Sequence, residues 1–147
     1  MGIEIHHLPF ASLPAIKRND AIVNYVIAGP KQGTQNIKSG ITRMRAGSVV
    51  PRHTHNCEEQ ATVLEGQVRF VIGDKVVVCG PYDSTYISGG VQHEFSNAGE
   101  NDALVMVIYG ASNVLRTFTD TGETVVLGSE RDTFPPPDPT TRPVNAK

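Results

Sequence analysis

The sequence predicts a single all-β domain, a sandwich or barrel of short strands, and three observations carry that reading. Runs rich in β-branched and aromatic residues recur at roughly ten-residue spacing, separated by Gly, Pro, Asn and Asp. Helical periodicity, with apolar residues returning every three or four positions, is nearly absent. The chain has 147 residues, 39% hydrophobic and 19% charged, which suits one folded core rather than two domains or a disordered chain.

In chain order, the opening MGIEIHHLPFASLPAIKRND has no clear period, and residues 1–20 are read as an N-terminal arm or edge strand, available to a partner subunit. The barrel is assigned to 21–130, with strands expected in AIVNYVIA, GITRMR, QATVLE, QVRFVI, KVVVC, STYI, ALVMVIY and NVLRTF. The clearest local element is VRFVIGDKVVVC, where Gly73-Asp74 joins two β-branched runs as a two-residue hairpin turn of type I′ or II′. Phe70, Val71, Val77, Phe95, Val105 and Val107 are the expected core. Residues 131–147 form a Pro-rich tail. FPPPDPTTRPVNAK carries prolines at 135, 136, 137, 139 and 143, too many to continue a sheet, so an extended course along the surface, or disorder, is expected.

Charge and composition exclude several functions. Thirteen Lys+Arg against 15 Asp+Glu give a net charge of −2, with no electrostatic footprint for nucleic acid or anionic lipid. No apolar run approaches a membrane span. The N-terminus lacks the basic start and apolar stretch of a secretory signal, and Gly2 lacks the context for myristoylation. Two cysteines, Cys57 and Cys79, are too few for a disulfide framework, so a reduced, cytoplasmic setting is expected.

The stretch GSVVPRHTHNCEEQATVLEG, Gly47 to Gly66, carries the chemistry. If 52–56 is extended, His53 and His55 point to one face, about 7 Å apart along the strand, close enough to converge on one ion. Glu59 shares their parity and can supply a third donor. Gly47 and Gly66 mark tight turns or close approaches. A fourth donor should come from a distant strand, and His93 in SGGVQHEFSN is the candidate, since His6 and His7 lie in the irregular N-terminus. Three neutral nitrogens and one carboxylate suit a divalent transition metal: Fe(II), Mn(II), Co(II), Ni(II), Cu(II) or Zn(II).

Taken together, Gly47, His53, His55, Glu59 and Gly66 resemble the first motif of the cupin superfamily without a gap. Gly90, His93 and Asn97 resemble the second, with Ser88 where that family has proline and Tyr82 where it has the opening glycine. The resemblance implies a double-stranded β-helix, or jelly-roll barrel, of the small single-domain type. It implies one metal held inside by His53, His55, Glu59 and His93, and a homodimer. The segment NVLRTFTDTGETVV resembles the late D-x-G hairpin of some small cupin dioxygenases. That likeness implies a non-haem Fe(II) dioxygenase acting on a small enol, β-diketone or hydroxyketone. A redox-neutral metal-dependent isomerase or lyase, or a non-catalytic small-molecule binder, stands as the alternative.

Around this core several residues are assigned lesser roles. Cys57 is read as a small hydrophobe at the rim, with a metal-facing thiol as the alternative. Glu58, of opposite parity, is expected in solvent or beside a ligand. Arg43 and Arg45 are weighed as anchors for a substrate carboxylate against plain surface arginines. Tyr86 and Gln60 are weighed as donors lining the cup.

Overall fold

A computed structural model describes residues 6–136, and these form twelve strands with two short 3-10 turns at Phe10–Ser12 and Pro30–Gln32. The strands are β1 Ala15–Lys17, β2 Ile22–Val26, β3 Lys38–Met44, β4 Val49–His55, β5 Glu59–Glu65 and β6 Val68–Ile72. They continue with β7 Lys75–Cys79, β8 Ser84–Ile87, β9 His93–Asn97, β10 Ala103–Tyr109, β11 Leu115–Phe118 and β12 Thr124–Val126. Every expected strand is present. The two antiparallel sheets run β1-β2-β3-β10-β5-β8 and β12-β11-β4-β9-β6-β7, the jelly-roll arrangement.

Alternation explains how these sequences make a barrel. Along β10, ALVMVIY, Ala103, Val105, Val107 and Tyr109 are buried while the residues between them are half-exposed. Facing them from the second sheet are Val68 and Phe70 of β6 and Phe95 of β9. The Phe70 and Phe95 rings stack with centroids 5.4 Å apart. A dry core of Ile22, Met44, Val50, Val63 and Val105 completes this end of the interior.

Strand β4 breaks the alternation, and the break places the site. Val50 pairs with Phe95 and His53 with His93, so β4 spends three residues where β9 spends two. The extra residue is a β-bulge at Pro51-Arg52, where proline costs no ladder hydrogen bond. Val50, His53 and His55 consequently all point inward. In an unbulged strand Val50 and His53 would face opposite ways.

The turns follow the glycines. Gly47 and Gly66 have φ of 79° and 80°. The Gly73-Asp74 turn closes on an Ile72–Lys75 pair with positive φ at Gly73 alone, which fits type II′. Tyr82 is the one non-glycine among the described residues with positive φ, 71°. It stands where the motif that the sequence resembles has its opening glycine, and its backbone takes a conformation that favours glycine.

Two core expectations fail. Val77 is 44% exposed and Val71 only half-buried. Strand β7 is the edge of its sheet, paired only to β6, and Val76, Val77 and Val78 are all open to solvent. Phe70, Phe95, Val105 and Val107 are buried as expected. At the N-terminus, β1 is the edge of the first sheet. The Pro-rich tail starts differently from its expected surface course. Asp132 and Phe134 are buried, Phe134 N–H donates to Arg18 O at 2.9 Å, and Asn19 Nδ2 donates to Pro135 O at 2.9 Å. Its prolines at 137, 139 and 143, like residues 1–5, lie outside the described residues. No described helix is long and apolar enough to cross a membrane.

Candidate metal centre

His53 and His55 come from the end of β4, His93 from the start of β9 beside it, and Glu59 from the start of β5 in the facing sheet. Between His55 and Glu59 the chain crosses from one sheet to the other, so the parity expected across residues 55–59 gives way to a turn. All four side chains are buried, 1–4% exposed, and one donor atom from each lies within 4.8 Å of the other three. His53 Nε2 is 3.0 Å from His55 Nε2, and Glu59 Oε2 is 2.9 Å from His93 Nε2 and 3.4 Å from His55 Nε2. Cross-strand pairing of His53 with His93 sets their ring centroids 4.2 Å apart.

The far nitrogen of each ring decides what the near one can do. His53 Nδ1 meets Pro51 O at 2.6 Å, His55 Nδ1 meets Leu115 O at 2.8 Å, and His93 Nδ1 meets Val91 O at 2.9 Å. A carbonyl only accepts, so each Nδ1 carries the proton, and in a neutral ring Nε2 presents a lone pair to the centre. Three such lone pairs and a carboxylate crowd a buried space. Two acceptors 3.0 Å apart repel unless a proton or a cation stands between them. The backbone clamps on Nδ1 are the outer contacts that orient metal-binding imidazoles. This donor set therefore fits a divalent transition metal.

Electrostatics favour the ligand forms of two members. Burial holds the His53 imidazole well below its ordinary range, with Arg116 and the neighbouring histidines adding repulsion, so the ring stays neutral. Burial alone would raise the Glu59 carboxyl. The close approach of the His55 and His93 rings to Oε2 outweighs it and holds the group well below its usual range, as a carboxylate. Tyr109 packs edge-on against His55, ring centroids 5.1 Å apart. Burial, followed by the nearby Glu59, raises its phenol, which stays protonated.

The secondary candidates fall outside the interior. Arg43 is on the outer face of β3, 3.6 Å from Asp102 with its side chain 42% exposed, and Arg45 is exposed. Tyr86 donates to Glu58 Oε2 at 2.8 Å on the surface. Gln60 and Tyr86 wall an outer depression of about 280 Å³ that reaches Glu59, Tyr109 and Gly110. Cys57 lies half-buried in the 55–59 turn, packed against the core and outside the ligand cluster. Burial raises its thiol. Both cysteines are free, and His6 and His7 are exposed and apart from the site.

Sequence reasoning missed a second buried polar group formed by Arg18, Arg116 and Asp132, all at most 4% exposed. Asp132 Oδ2 is 3.2 Å from Arg18 Nη1, and its Oδ1 is 3.5 Å from Arg116 Nη1. A signal was available in NVLRTF. Arg116 lies on the parity of Val114 and Phe118, the side that has to face inward.

Comparison with known proteins bears on the fold. Residues 40–109 match the family model described as Cupin domain. No curated protein sequence matches the chain. Among solved structures it is similar to KdgF from Halomonas sp., at 12% identity and a TM-score of 0.63, over 73% of this chain and 94% of that one. It is similar to the polyketide cyclase RemF from Streptomyces resistomycificus, at 16% identity and a TM-score of 0.66, over 81% and 89% of the two chains. It is also similar to a variant of the oxalate decarboxylase OxdC from Bacillus subtilis, at 15% identity and a TM-score of 0.67, over 76% of this chain and 31% of that longer one. At such identities the likeness is one of fold.

Proposed function

We propose that the chain, whose residues 40–109 match the Cupin domain model, is a cupin and a metal-dependent enzyme, a non-haem Fe(II) dioxygenase of a small enol, β-diketone or hydroxyketone. One observation carries the proposal: three clamped imidazoles present Nε2, and one buried carboxylate presents Oε2, to a common point. His53, His55, His93 and Glu59 would hold the ion. When bound, it supplies Lewis acidity and, as iron, electrons for dioxygen.

The protein's own contribution is positional. Carbonyls of Pro51, Leu115 and Val91 fix the rings, and Tyr109 packs edge-on against His55. Four protein donors on an ion that accepts five or six leave room for one or two substrate oxygens. The same donors serve Ni(II) or Zn(II), which supports redox-neutral isomerase or lyase chemistry as the second reading.

Elemental analysis of protein purified without added metal tests the first step, with an equimolar transition metal expected. Oxygen uptake by the Fe(II)-loaded protein over a panel of enols and β-diketones tests the second. Turnover that persists under argon with Ni(II) or Zn(II) would move the reaction to the redox-neutral class. Tight metal uptake with silence across the panel would leave a binding module. The same reading takes the protein as a cytoplasmic homodimer, for which light scattering should give twice the chain mass.

A further inference from the structure

We propose that the barrel interior holds, beside the ligand quartet, an anion pocket anchored by Arg116 that takes a carboxylate group of the substrate. The proposal rests on the quartet being the reaction centre and narrows its substrate to a small carboxylic acid whose enol or hydroxyl oxygen faces the four donors.

Charge balance is the first argument. Among the described residues, Arg18 and Arg116 both pair with Asp132, and the half-buried Lys38 lies within its electrostatic reach. Two buried guanidiniums paired to one carboxylate leave an excess of positive charge at that point, which low-dielectric surroundings penalise unless an anion joins them. Arg18 is satisfied: Nε donates to Asn24 Oδ1 at 2.5 Å and Nη1 to Asp132 O at 3.0 Å. Lys38 Nζ donates to Leu127 O at 3.3 Å. Arg116 is the exception. Its Nε and Nη1 are buried and have no hydrogen-bond partner among the described residues, Nη1 making only a 3.5 Å ion pair with Asp132 Oδ1. The guanidinium lies over the Phe134 ring, Cζ 4.8 Å from its centroid, and Nη1 faces Asp132, so the Nε edge is the one left open to a carboxylate.

Space and position supply the second argument. A cavity of about 30 Å³, lined by Arg18, Lys38, Tyr109 and Arg116 among others, lies between these groups. That volume suits about two water-sized atoms, the oxygens of one carboxylate. Asp132 is not part of its wall. Tyr109 is shared with the metal site, where it packs on His55, and Arg116 pairs in register with His55 across β11 and β4. Burial and mutual repulsion lower the Arg18 guanidinium and the Lys38 ammonium, a strain that an anion would relieve.

Calorimetric titration of the full chain with sodium formate, in chloride-free buffer at matched ionic strength, tests the pocket. Formamide serves as the neutral isostere. Saturable formate binding with a Kd on the order of 1 mM is expected, the strength of a pair of charge-assisted hydrogen bonds, with formamide silent. Arg116→Gln should abolish it. Arg116→Lys, which keeps the charge opposite Asp132 but loses the fork, should weaken it by about tenfold. Absence of saturable binding, equal binding of formamide, or wild-type affinity in either Arg116 variant would overturn the pocket. If the Gln variant does not fold, the Lys variant decides. His93→Ala separates the two readings: formate binding that survives in it places the anion outside the quartet. Failure of the wild-type chain to take up metal, with formate binding intact, would count against the metal centre alone.

Discussion

At one end of the barrel Met44, Val50, Val63, Val68, Phe95 and Val105 close a dry core. At the other end of the same strands stand Glu59, Tyr109, His53, His55, His93 and Arg116. Strand β5 runs from Glu59 to Val63, β10 from Tyr109 to Val105, and β9 from His93 to Phe95. The two ends share one alternation of inward side chains and differ in what those side chains need. Apolar residues stabilise the fold by leaving water. The polar residues give up water for partners that the protein supplies only in part. The apolar end can therefore carry the stability, while the polar end is free to bind.

The sharpest way to break this division is Phe70→Ala, which removes a fully buried ring stacked on Phe95. Denaturant titration should show a loss of about 3–5 kcal/mol, with metal stoichiometry retained in whatever fraction stays folded. His93→Ala should do the opposite. Metal affinity should fall by more than about 100-fold, beyond what removing an outer contact usually costs, while metal-free stability falls less than in Phe70→Ala. A metal-induced rise in Tm that disappears in this variant would sharpen the comparison, and one that remains would break it.

pH gives a smaller test. His53 titrates lower in the folded protein than in the unfolded chain, so below 6.5 the unfolded chain binds the extra proton. Metal-free stability should hold above that pH and fall with acid by at most about 1.4 kcal/mol per pH unit from this group, with Glu59 adding its share below 4.5. Thermal unfolding across this range reads it, and a flat profile would contradict the buried, neutral ring. Smallest is Tyr82→Gly at an exposed turn outside both ends. Relief of the left-handed conformation, offset by glycine's freedom in the unfolded chain, should stabilise by about 0.5–1 kcal/mol without altering metal binding.

Much of the fold was legible because its signals are local. Period-two runs located the strands, and Gly73-Asp74 located a hairpin, since each depends only on neighbours in sequence. Val77 misled because β-branched residues favour strands wherever a strand lies, and only the sheet order makes β7 an edge. The histidines and Glu59 were legible as a motif, but the way Glu59 reaches them was not, because it depends on a crossing between sheets. Arg116, Arg18 and Asp132 come from three distant segments, and a single sequence carries no record of that meeting beyond one charged residue on an inward parity. Arg43 and Arg45 drew attention instead because they alternate along a strand, and the face they occupy turned out to be the outer one.

The bulge at Pro51-Arg52 has a consequence for how such a barrel can change. By inserting half a period between Val50 and His53, it makes the two segments of β4 independent in phase. Deleting a single residue there would swing either the histidines or the valine out into solvent, whereas substitutions on one side of it leave the orientation of the other untouched. Reactive groups can thus be exchanged without redesigning the hydrophobic filling, so long as that one surplus residue is kept.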